Sequence, residues 1–417
     1  MRALQIVINS EHVATLKDQS GIWSLEYNPY WIHNPNGYDL SPSLPRNAGE
    51  IIDGSTVRPV QWFFDNLLPE EQARTLLAGD ARIEFADAFG LLGYYGAESA
   101  GAITLLHSLN AQEIGGLKPL PDNELSERIR NLPRAGLTTG APKRMSLAGA
   151  QHKLAVVLNE QGLFEPVGAT PSTHILKPDH DQPNQYHATV INEWFIMSIA
   201  KRIWGRVPEV SVRRVPEPVY FIERFDRTMV DGKLAREHVL DACQLLGLDR
   251  NFKYNQATIE TLQRILSMVR NVAFTRIQLF HWLVFNTLVG NGDNHLKNLS
   301  FFVKGDSYHM TPHYDMLCTA IYGESNTPWL SAELVWKLDG VRTFEEVNFG
   351  SFLQVARAIG LNEKMATEII VKLSAKIIES ARDLYEKHMQ EMTAGEAHLV
   401  RQIIYGVMTD MVKRLRP

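Results

Sequence analysis

Cysteine is scarce in this sequence of 417 residues, which contains only Cys243 and Cys318. Two cysteines cannot build a disulfide framework or a cysteine-based zinc site, and their number fits a reducing compartment. An excess of one charge is also lacking, because 42 basic and 47 acidic residues leave a formal net charge of −5. Global electrostatics therefore do not favour direct binding to nucleic acid.

Long apolar runs are missing as well. Residues 1–16 lack the basic, apolar and small-residue regions of a signal peptide. The most apolar stretch, 277–290, is short and contains His281 and Asn286, which is typical of a buried helix rather than a membrane span. We therefore expect a cytoplasmic protein without a membrane partner, and its length predicts two or three lobes.

The order of patterns along the chain predicts three regions. The first 115 residues are mixed, with strands over 1–30, helices over 58–95 and a strand over 102–106; Pro69, Glu70 and Glu71 are expected in the first turn of a helix. The polar, proline-containing segment 116–142 is interpreted as a linker. Short strands and one helix follow up to about residue 228, and helical periodicity continues from there to the end.

The strongest local feature is residues 292–298, Gly-Asp-Asn-His-Leu-Lys-Asn, which directly follow the buried helix. Asp293 and Asn298 have the spacing D-x₄-N. Phosphoryl transfer needs a carboxylate that accepts the hydroxyl proton and an amide oxygen that holds Mg²⁺, and protein kinases carry both on one loop at this spacing. Asp315, beyond a predicted hairpin, has the place of the second metal ligand. Taken singly, each of these residues is more ordinarily explained as part of a polar turn.

Two more elements precede this loop in the order found in kinases. Lys177 ends a strand-like run, where a lysine neutralises phosphate charge, and Glu193 on the next helix is its candidate partner. Residues 146–153, Ser-Leu-Ala-Gly-Ala-Gln-His-Lys, are small enough at several positions for backbone N–H groups to approach phosphates. Alone, a surface lysine and a plain loop are the more ordinary explanations, but the joint order predicts a kinase.

Together these motifs resemble the HipA-type toxin kinases. The resemblance covers roughly residues 1–390. It includes F-F-D-N-L-L-P at 63–69 and a later motif at 98–105, S-L-A-G-A-Q-x-K at 146–153, T-H-I-L-K-P at 173–178, E-R-F-D-R at 223–227, D-x-H-x-K-N at 293–298 and P-x-Y-D at 312–315. One departure is at 237–241, where many members carry an adjacent Q-E-D, so that His238 has no assigned role.

Segment order and resemblance lead to the same fold class, α+β, with a protein-kinase-like two-lobed fold. The expected domains are an N-terminal HipA-like subdomain over 1–115, a linker over 116–142, an ATP-binding small lobe over 143–228 and an all-helical catalytic lobe over 229–417.

The resemblance implies a serine/threonine kinase that uses ATP and Mg²⁺. Asp293 would be the catalytic base, with Asn298 and Lys177 also catalytic, and Asn298 and Asp315 would hold the metal. The residues implied to bind the nucleotide are Ala148, Gly149, Ala150, Gln151, Lys153, Lys177, Glu223, Phe225, His295 and Lys297.

The resemblance also implies a biological setting. Members act as the toxin of a bacterial toxin–antitoxin pair, phosphorylate an aminoacyl-tRNA synthetase, best known the glutamyl type, and so inhibit translation. Their partner is a HipB-like helix-turn-helix antitoxin, through which operator DNA is contacted. Autophosphorylation at Ser146 would switch the kinase off, with Lys143 and Arg144 as candidate partners of the new phosphate.

Two alternatives stay open at this point. One is a catalytically silent chain that serves only as binding partner and corepressor of the antitoxin. The other is a kinase for a small molecule.

Overall fold

The structure is a computed structural model that describes residues 1–109, 115–145, 147–149, 151–323, 328–338 and 340–417. The chain forms two compact units. The first unit contains 1–181, 213–252 and 300–308, and the second contains 182–212, 253–299 and 309–417. Among the described residues, no helix is both long and apolar enough to cross a membrane.

The first unit begins with a five-stranded sheet. Its strands are β1 (Arg2–Ile8), β2 (Glu11–Gln19), β3 (Ile22–Tyr27), β4 (Ile51–Ile52) and β5 (Ile103–Leu106), in the order β4-β3-β2-β1-β5. The strands predicted over 1–30 and 102–106 are confirmed. Leu4 and Ile6 are fully buried in β1, as the period of two in a half-buried strand requires. Asn9, which tolerates a positive φ, helps to close the turn before β2.

Four helices accompany this sheet. They are α1 (Pro29–His33), α2 (Pro59–Asp65), α3 (Glu71–Ala81) and α4 (Ala88–Tyr95). The helices predicted over 58–95 are confirmed, but the predicted position of Pro69 in a first helical turn is wrong. Pro69 lies before α3 and forms a bridge with Gly149, so backbone pairing with a distant loop determines its conformation.

A second, six-stranded sheet follows. Its strands are β6 (Gly116–Pro119), β7 (Leu154–Asn159), β8 (Gly162–Val167), β9 (His174–Pro178), β10 (Val210–Arg214) and β11 (Pro218–Glu223), in the order β10-β11-β9-β7-β8-β6. The strands predicted from the apolar runs at 154–158, 174–177 and 219–222 are confirmed as β7, β9 and β11.

The segment 116–142, expected as a linker, contains regular structure instead. Its first residues form β6, which pairs with β8 at the edge of the sheet, and α5 (Asp122–Arg130) follows. Leu120, Leu125 and Leu137 are buried in the core beneath this sheet. The pattern did not reveal β6, because three of its four residues are exposed and an exposed strand shows no apolar alternation.

The C-terminal part is largely helical, but the expectation that residues 229–417 are all-helical is wrong. Its strands have only three to six residues, which is too short to show a clear period. They are β12 (Arg227–Val230) with β13 (Lys233–Arg236), β14 (Val239–Asp241) with β15 (Ser300–Lys304) and β16 (Ser307–Met310), and β17 (Glu333–Leu338) with β18 (Val341–Thr343).

The remaining helices belong to the second unit, except for α7. The predicted buried helix is confirmed as α9, in which Phe280, Val284 and Leu288 are fully buried. The helices are α6 (Thr189–Ile203), α7 (Ala242–Leu246), α8 (Ile259–Met268), α9 (Val272–Leu288), α10 (Phe349–Ala358), α11 (Glu363–His388), α12 (Ala394–Gln402) and α13 (Thr409–Arg414), with a π-helical segment at Ile403–Met408.

Candidate active site

In the first unit, the loop of small residues is closed by its own lysine. Lys153 Nζ donates to the Ala148 carbonyl at 2.8 Å. Gly149 has φ of 108°, a conformation that favours glycine. A Cβ there would lie 2.5 Å from Lys153 Nζ and would displace the end of this lysine. Ser146, the predicted autophosphorylation site, and Ala150, a predicted nucleotide contact, lie outside the described residues.

The same loop is tied to its surroundings on both sides. The Glu70 N–H donates to the Gly149 carbonyl at 3.2 Å. Gln151 Nε2 donates to the Pro178 carbonyl at 3.3 Å, directly after Lys177. The structure therefore places the predicted phosphate loop beside the predicted phosphate lysine.

Lys177 lies on β9 and is buried to 5% exposure. Its ammonium is 5.7 Å from the ring centroid of Tyr220, its register partner on β11. The expected partner, Glu193, is buried on α6. Their pairing stays a prediction.

The motif at 223–227 alternates in burial. Glu223 is exposed and Phe225 is half-buried, whereas Arg224 and Asp226 are buried. The Phe225 ring meets Phe302 edge-on, with centroids 5.9 Å apart. Alternation turns Glu223 and Phe225, the predicted adenine contacts, away from the buried side.

Arg224 and Asp226 belong to a buried ionic network around Glu98, which no local sequence pattern indicates. Burial raises the pKa of Glu98, but the surrounding cations outweigh it and hold the pKa well below 4.5. The carboxylate lies 2.7 Å from Lys143 Nζ, 3.3 Å from Arg224 Nη1, 2.8 Å from Arg227 Nη2 and 2.8 Å from Arg236 Nη2.

This network corrects one expectation about the loop. Lys143 was a candidate partner for a phosphate on Ser146, but it is buried and paired with Glu98. Breaking a buried pair is strongly destabilising, by about 3–5 kcal/mol, so Lys143 is not available. Arg144 lies over the Tyr94 ring, 3.6 Å from its centroid.

In the second unit, amide side chains hold the loop after α9. Gly290 has φ of 70°, and a Cβ there would lie 2.5 Å from Val407 Cγ1. Asn291 Nδ2 donates to Asn286 Oδ1 at 2.7 Å, and Asn291 Oδ1 accepts from the Asp293 N–H at 3.0 Å. Both asparagines are buried. Because Asn286 belongs to the buried helix, the hydrogen bonds through Asn291 fix the backbone at Asp293 to that helix.

Asn298 is oriented by the backbone of Asp293. Its Nδ2 donates to the Asp293 carbonyl at 2.9 Å, which leaves Oδ1 as the acceptor oxygen. The Asp293 carboxylate accepts a hydrogen bond at Oδ1 from Tyr254 Oη, 2.8 Å away. The structure thus brings the predicted base and the predicted amide ligand together on one short loop.

Asp315 has φ of 58°, which is unusual for a residue other than glycine. Such strain clusters at functional positions. The preceding Tyr314 Oη donates to the Lys297 carbonyl at 2.8 Å. The residue next to the predicted metal Asp is therefore bound to the loop that carries Asn298.

Asn192 of α6 fixes the segment that follows Asp315. Its Oδ1 accepts from the Cys318 N–H at 2.8 Å and its Nδ2 donates to the Cys318 carbonyl at 2.9 Å. The side chain is fully buried. Its partner lies 126 positions further along the chain, so no local signal reveals its role.

The oxygen donors of Asn298 and Asp315 suit Mg²⁺, a hard cation. Within the described ranges, no three His, Cys, Asp or Glu side chains converge to hold a metal. Magnesium ions are commonly held by one or two side-chain oxygens together with phosphate and water, so Asn298 and Asp315 could hold one. His295 and Lys297, the other predicted nucleotide contacts, are buried on the same loop, and their contact with nucleotide stays a prediction.

His238, which had no assigned role, is buried beside residues 38–40. Its Nε2 lies 2.9 Å from the Leu40 carbonyl, and its ring stacks on Tyr38 at 5.5 Å. Burial lowers the pKa of His238 to about 4. The neutral ring therefore donates to the carbonyl and supports the fold of the first unit.

Two family models match the chain. A HipA N-terminal domain matches residues 4–106, and a HipA-like C-terminal domain matches residues 145–381. The second match includes the loop at 147–153, the lysine strand, the 223–227 motif and the loop at 291–298.

Similar proteins include kinases from two bacteria. The putative kinase Y4mE of Sinorhizobium fredii is 33% identical over 412 residues, covering 92% of this chain and 95% of the relative. The serine/threonine-protein kinase toxin HipA of Shewanella oneidensis is 29% identical over 320 residues, covering 72% of this chain and 71% of the relative.

The fold is similar to a solved structure. A chain of the Shewanella oneidensis toxin–antitoxin complex of HipA, HipB and operator DNA matches with a TM-score of 0.81 at 23% identity, covering 99% of each chain. The predicted α+β, kinase-like fold class is confirmed by this similarity.

Proposed function

The chain belongs to the HipA family of toxin kinases, as its motifs predicted, and we propose that it is an ATP- and Mg²⁺-dependent serine/threonine protein kinase. The observation that carries this proposal is the loop at 291–298. It holds a carboxylate and an amide side chain whose oxygen is free to face a metal, because the Asp293 carbonyl takes the amide nitrogen. Phosphoryl transfer needs these two groups on one loop.

In the proposed mechanism each residue has a separate task. Asp293 orients the acceptor hydroxyl and takes its proton. Asn298 and Asp315 hold Mg²⁺, which neutralises phosphate charge when bound. Lys177 contributes a second positive charge to the phosphates.

The nucleotide takes further contacts from other segments. The backbone N–H groups of the loop at 147–153 bind the phosphates, with Lys153 at the far end of that loop, and Gln151, His295 and Lys297 assist. Glu223 and Phe225 contact the adenine. These assignments rest on the family resemblance.

The biological role follows from the family. We propose that the chain is the toxin of a bacterial toxin–antitoxin pair and acts in the cytoplasm. Its partner would be a HipB-like helix-turn-helix antitoxin that contacts operator DNA, since the Shewanella oneidensis relative was solved with HipB and operator DNA. The protein substrate would be an aminoacyl-tRNA synthetase of the glutamyl type, and autophosphorylation at Ser146 would end the activity.

Replacing the base tests the activity directly. Purified protein with γ-labelled ATP and Mg²⁺ is expected to label itself, and Asp293→Asn should reduce the rate roughly 10²–10⁴-fold, the usual contribution of general-base catalysis. ATP affinity, measured by calorimetry, should stay nearly unchanged, because Asn preserves the size of the side chain. Equal rates in the two proteins would refute the role of Asp293.

Labelling in a cell lysate distinguishes the alternatives. A single labelled protein of synthetase size, identified by mass spectrometry, supports the proposed substrate class. Label on a small molecule alone indicates a small-molecule kinase. ATP bound without any transfer by the wild type indicates a catalytically silent partner of the antitoxin.

A further inference from the structure

Tyr254 contacts the proposed base directly. Its Oη lies 2.8 Å from Asp293 Oδ1, and the side chain is 40% exposed. We propose that Tyr254 is a positioning residue, which holds the Asp293 carboxylate in the orientation that accepts the substrate proton. This inference rests on the proposed kinase function.

The backbone of Tyr254 is fastened to the loop that it serves. The Leu296 N–H donates to the carbonyl of the preceding Lys253 at 3.2 Å, and the Ala257 N–H donates to the Tyr254 carbonyl at 3.0 Å. Tyr254 is therefore held by backbone hydrogen bonds on both of its sides.

The ring is held as well as the backbone. The His295 ring meets it edge-on, with centroids 5.1 Å apart and planes at 76°. The ammonium of Lys253, which is buried, lies 5.0 Å from the ring centroid. Because His295 belongs to the loop that carries Asp293, the phenol and the carboxylate share one rigid support.

The chemistry explains why such a support is useful. The hydroxyl oxygen of the substrate forms a bond to the γ-phosphorus, the bond from that phosphorus to the departing ADP oxygen breaks, and the hydroxyl proton passes to Asp293. Tyr254 donates to Oδ1 and thereby restricts the rotation of the carboxylate that takes the proton. A base fixed in one rotamer reaches the reactive geometry without a search.

Removing the hydroxyl alone tests the proposal. In Tyr254→Phe the ring still packs on His295, and the single-turnover rate of self-labelling at saturating ATP should fall by about ten- to a hundredfold, the value of a hydrogen bond to a charged group. The ATP concentration for half-maximal rate and the melting temperature should not change. Tyr405→Phe, which removes the hydroxyl of a tyrosine that is 52% exposed, should match the wild type.

A double-mutant cycle separates positioning from a general structural role. If Tyr254 acts through Asp293, adding Tyr254→Phe to Asp293→Asn should give no further loss. An equal fold loss in both backgrounds would overturn the proposal, as would an unchanged or raised rate in Tyr254→Phe alone. If the wild type labels nothing, the proposed function fails and this inference with it; if the wild type is active and Tyr254→Phe equals it, this inference alone fails.

Discussion

Asp315 shows how one residue combines strain with a proposed role. Its φ of 58° is a conformation that a non-glycine residue adopts only when its surroundings impose it. Here Tyr314 and Asn192 fix the chain on either side through their bonds to Lys297 and Cys318. The backbone is therefore held in a strained conformation by its neighbours, as expected for a position with the proposed metal-binding role.

We expect Asp315→Ala to weaken Mg²⁺-dependent ATP binding by at least tenfold, because even the outer partners of a metal site contribute 10–100-fold to affinity. Calorimetric titration of ATP with and without Mg²⁺ measures the difference. Asp306→Ala is the matched control, since its side chain is 80% exposed at the turn of the preceding hairpin. An Asp315→Ala protein that keeps the Mg²⁺ dependence of the wild type would refute the assignment.

A second prediction at the scale of single residues concerns Gly149. Gly149→Ala should displace Lys153 from the Ala148 carbonyl and lower ATP affinity about tenfold or more, because the new Cβ would lie 2.5 Å from the ammonium. Gly140→Ala is the control, since Gly140 has φ of 78° but nothing within 4 Å of a new Cβ. Isothermal titration with ATP would show equal affinities in the two variants if the loop contact were unimportant.

Site residues that lie close together in the chain could be predicted from the sequence. Asp293 and Asn298 could be predicted as a pair because one loop of six residues carries both. The role of Tyr254 could not be predicted, because this residue is 39 positions away from Asp293 in the sequence. The same holds for Asn192, which is 126 positions away from its partner Cys318. Contacts of this kind depend on how the elements pack, which no local spacing encodes.

At the scale of elements, the Glu98 network joins the segment between α4 and β5 to the 223–227 motif and to the hairpin of β12 and β13. Asp226 takes part through its Oδ2, which accepts from the Gly101 N–H at 2.7 Å. Arg224 pairs with Asp226 Oδ2 at 2.6 Å. The elements that carry Glu223 and Phe225 are thus held by charges buried behind them.

We expect Glu98→Gln to lower the free energy of unfolding by about 3–5 kcal/mol, because it leaves buried cations without their partner. Urea denaturation measures the change, and Glu26→Gln is the control, since that carboxylate is 57% exposed in its pair with Lys17 and such pairs contribute about 1 kcal/mol or less. A loss no larger than that of the control would contradict the network's importance.

The same network should make the stability of the folded protein depend on pH. The pKa of Glu98 is lowered in the folded protein from 4.5, so its contribution to stability is fully present above about pH 4.5 and is lost as the pH falls toward the folded pKa. Part of the acid destabilisation of the wild type below pH 4.5 should therefore be missing in Glu98→Gln.

Elements whose sequences show a strong hydrophobic period could be predicted, and the other elements could not. β1, β2 and α9 bury one face or most of their surface, so their sequences show the period of their structure. β6 is mostly exposed and exists because β8 offers it an edge. The short strands β14 and β18 have three residues each, which is less than two periods of alternation.

At the scale of the whole molecule, we expect the wild-type chain to stop bacterial growth when it is induced without its antitoxin. The expectation follows from the family and from the assembled groups on the loop at 291–298. Asp293→Asn, produced at the same soluble level, should leave growth unaffected. Colony counts after induction measure the effect, and normal growth with a wild-type protein that binds ATP would count against the toxin function.

The position of Glu98 also limits which segments of this protein can be exchanged with those of a relative. The acid lies in the segment that matches the HipA N-terminal domain, 4–106, whereas Arg224, Arg227 and Arg236 lie in the segment that matches the C-terminal domain, 145–381. A chimera that joins the first segment to the second segment of a relative lacking these arginines would bury an unmatched charge. A chimera that folds well therefore has to keep both sides of this pairing or rebuild it.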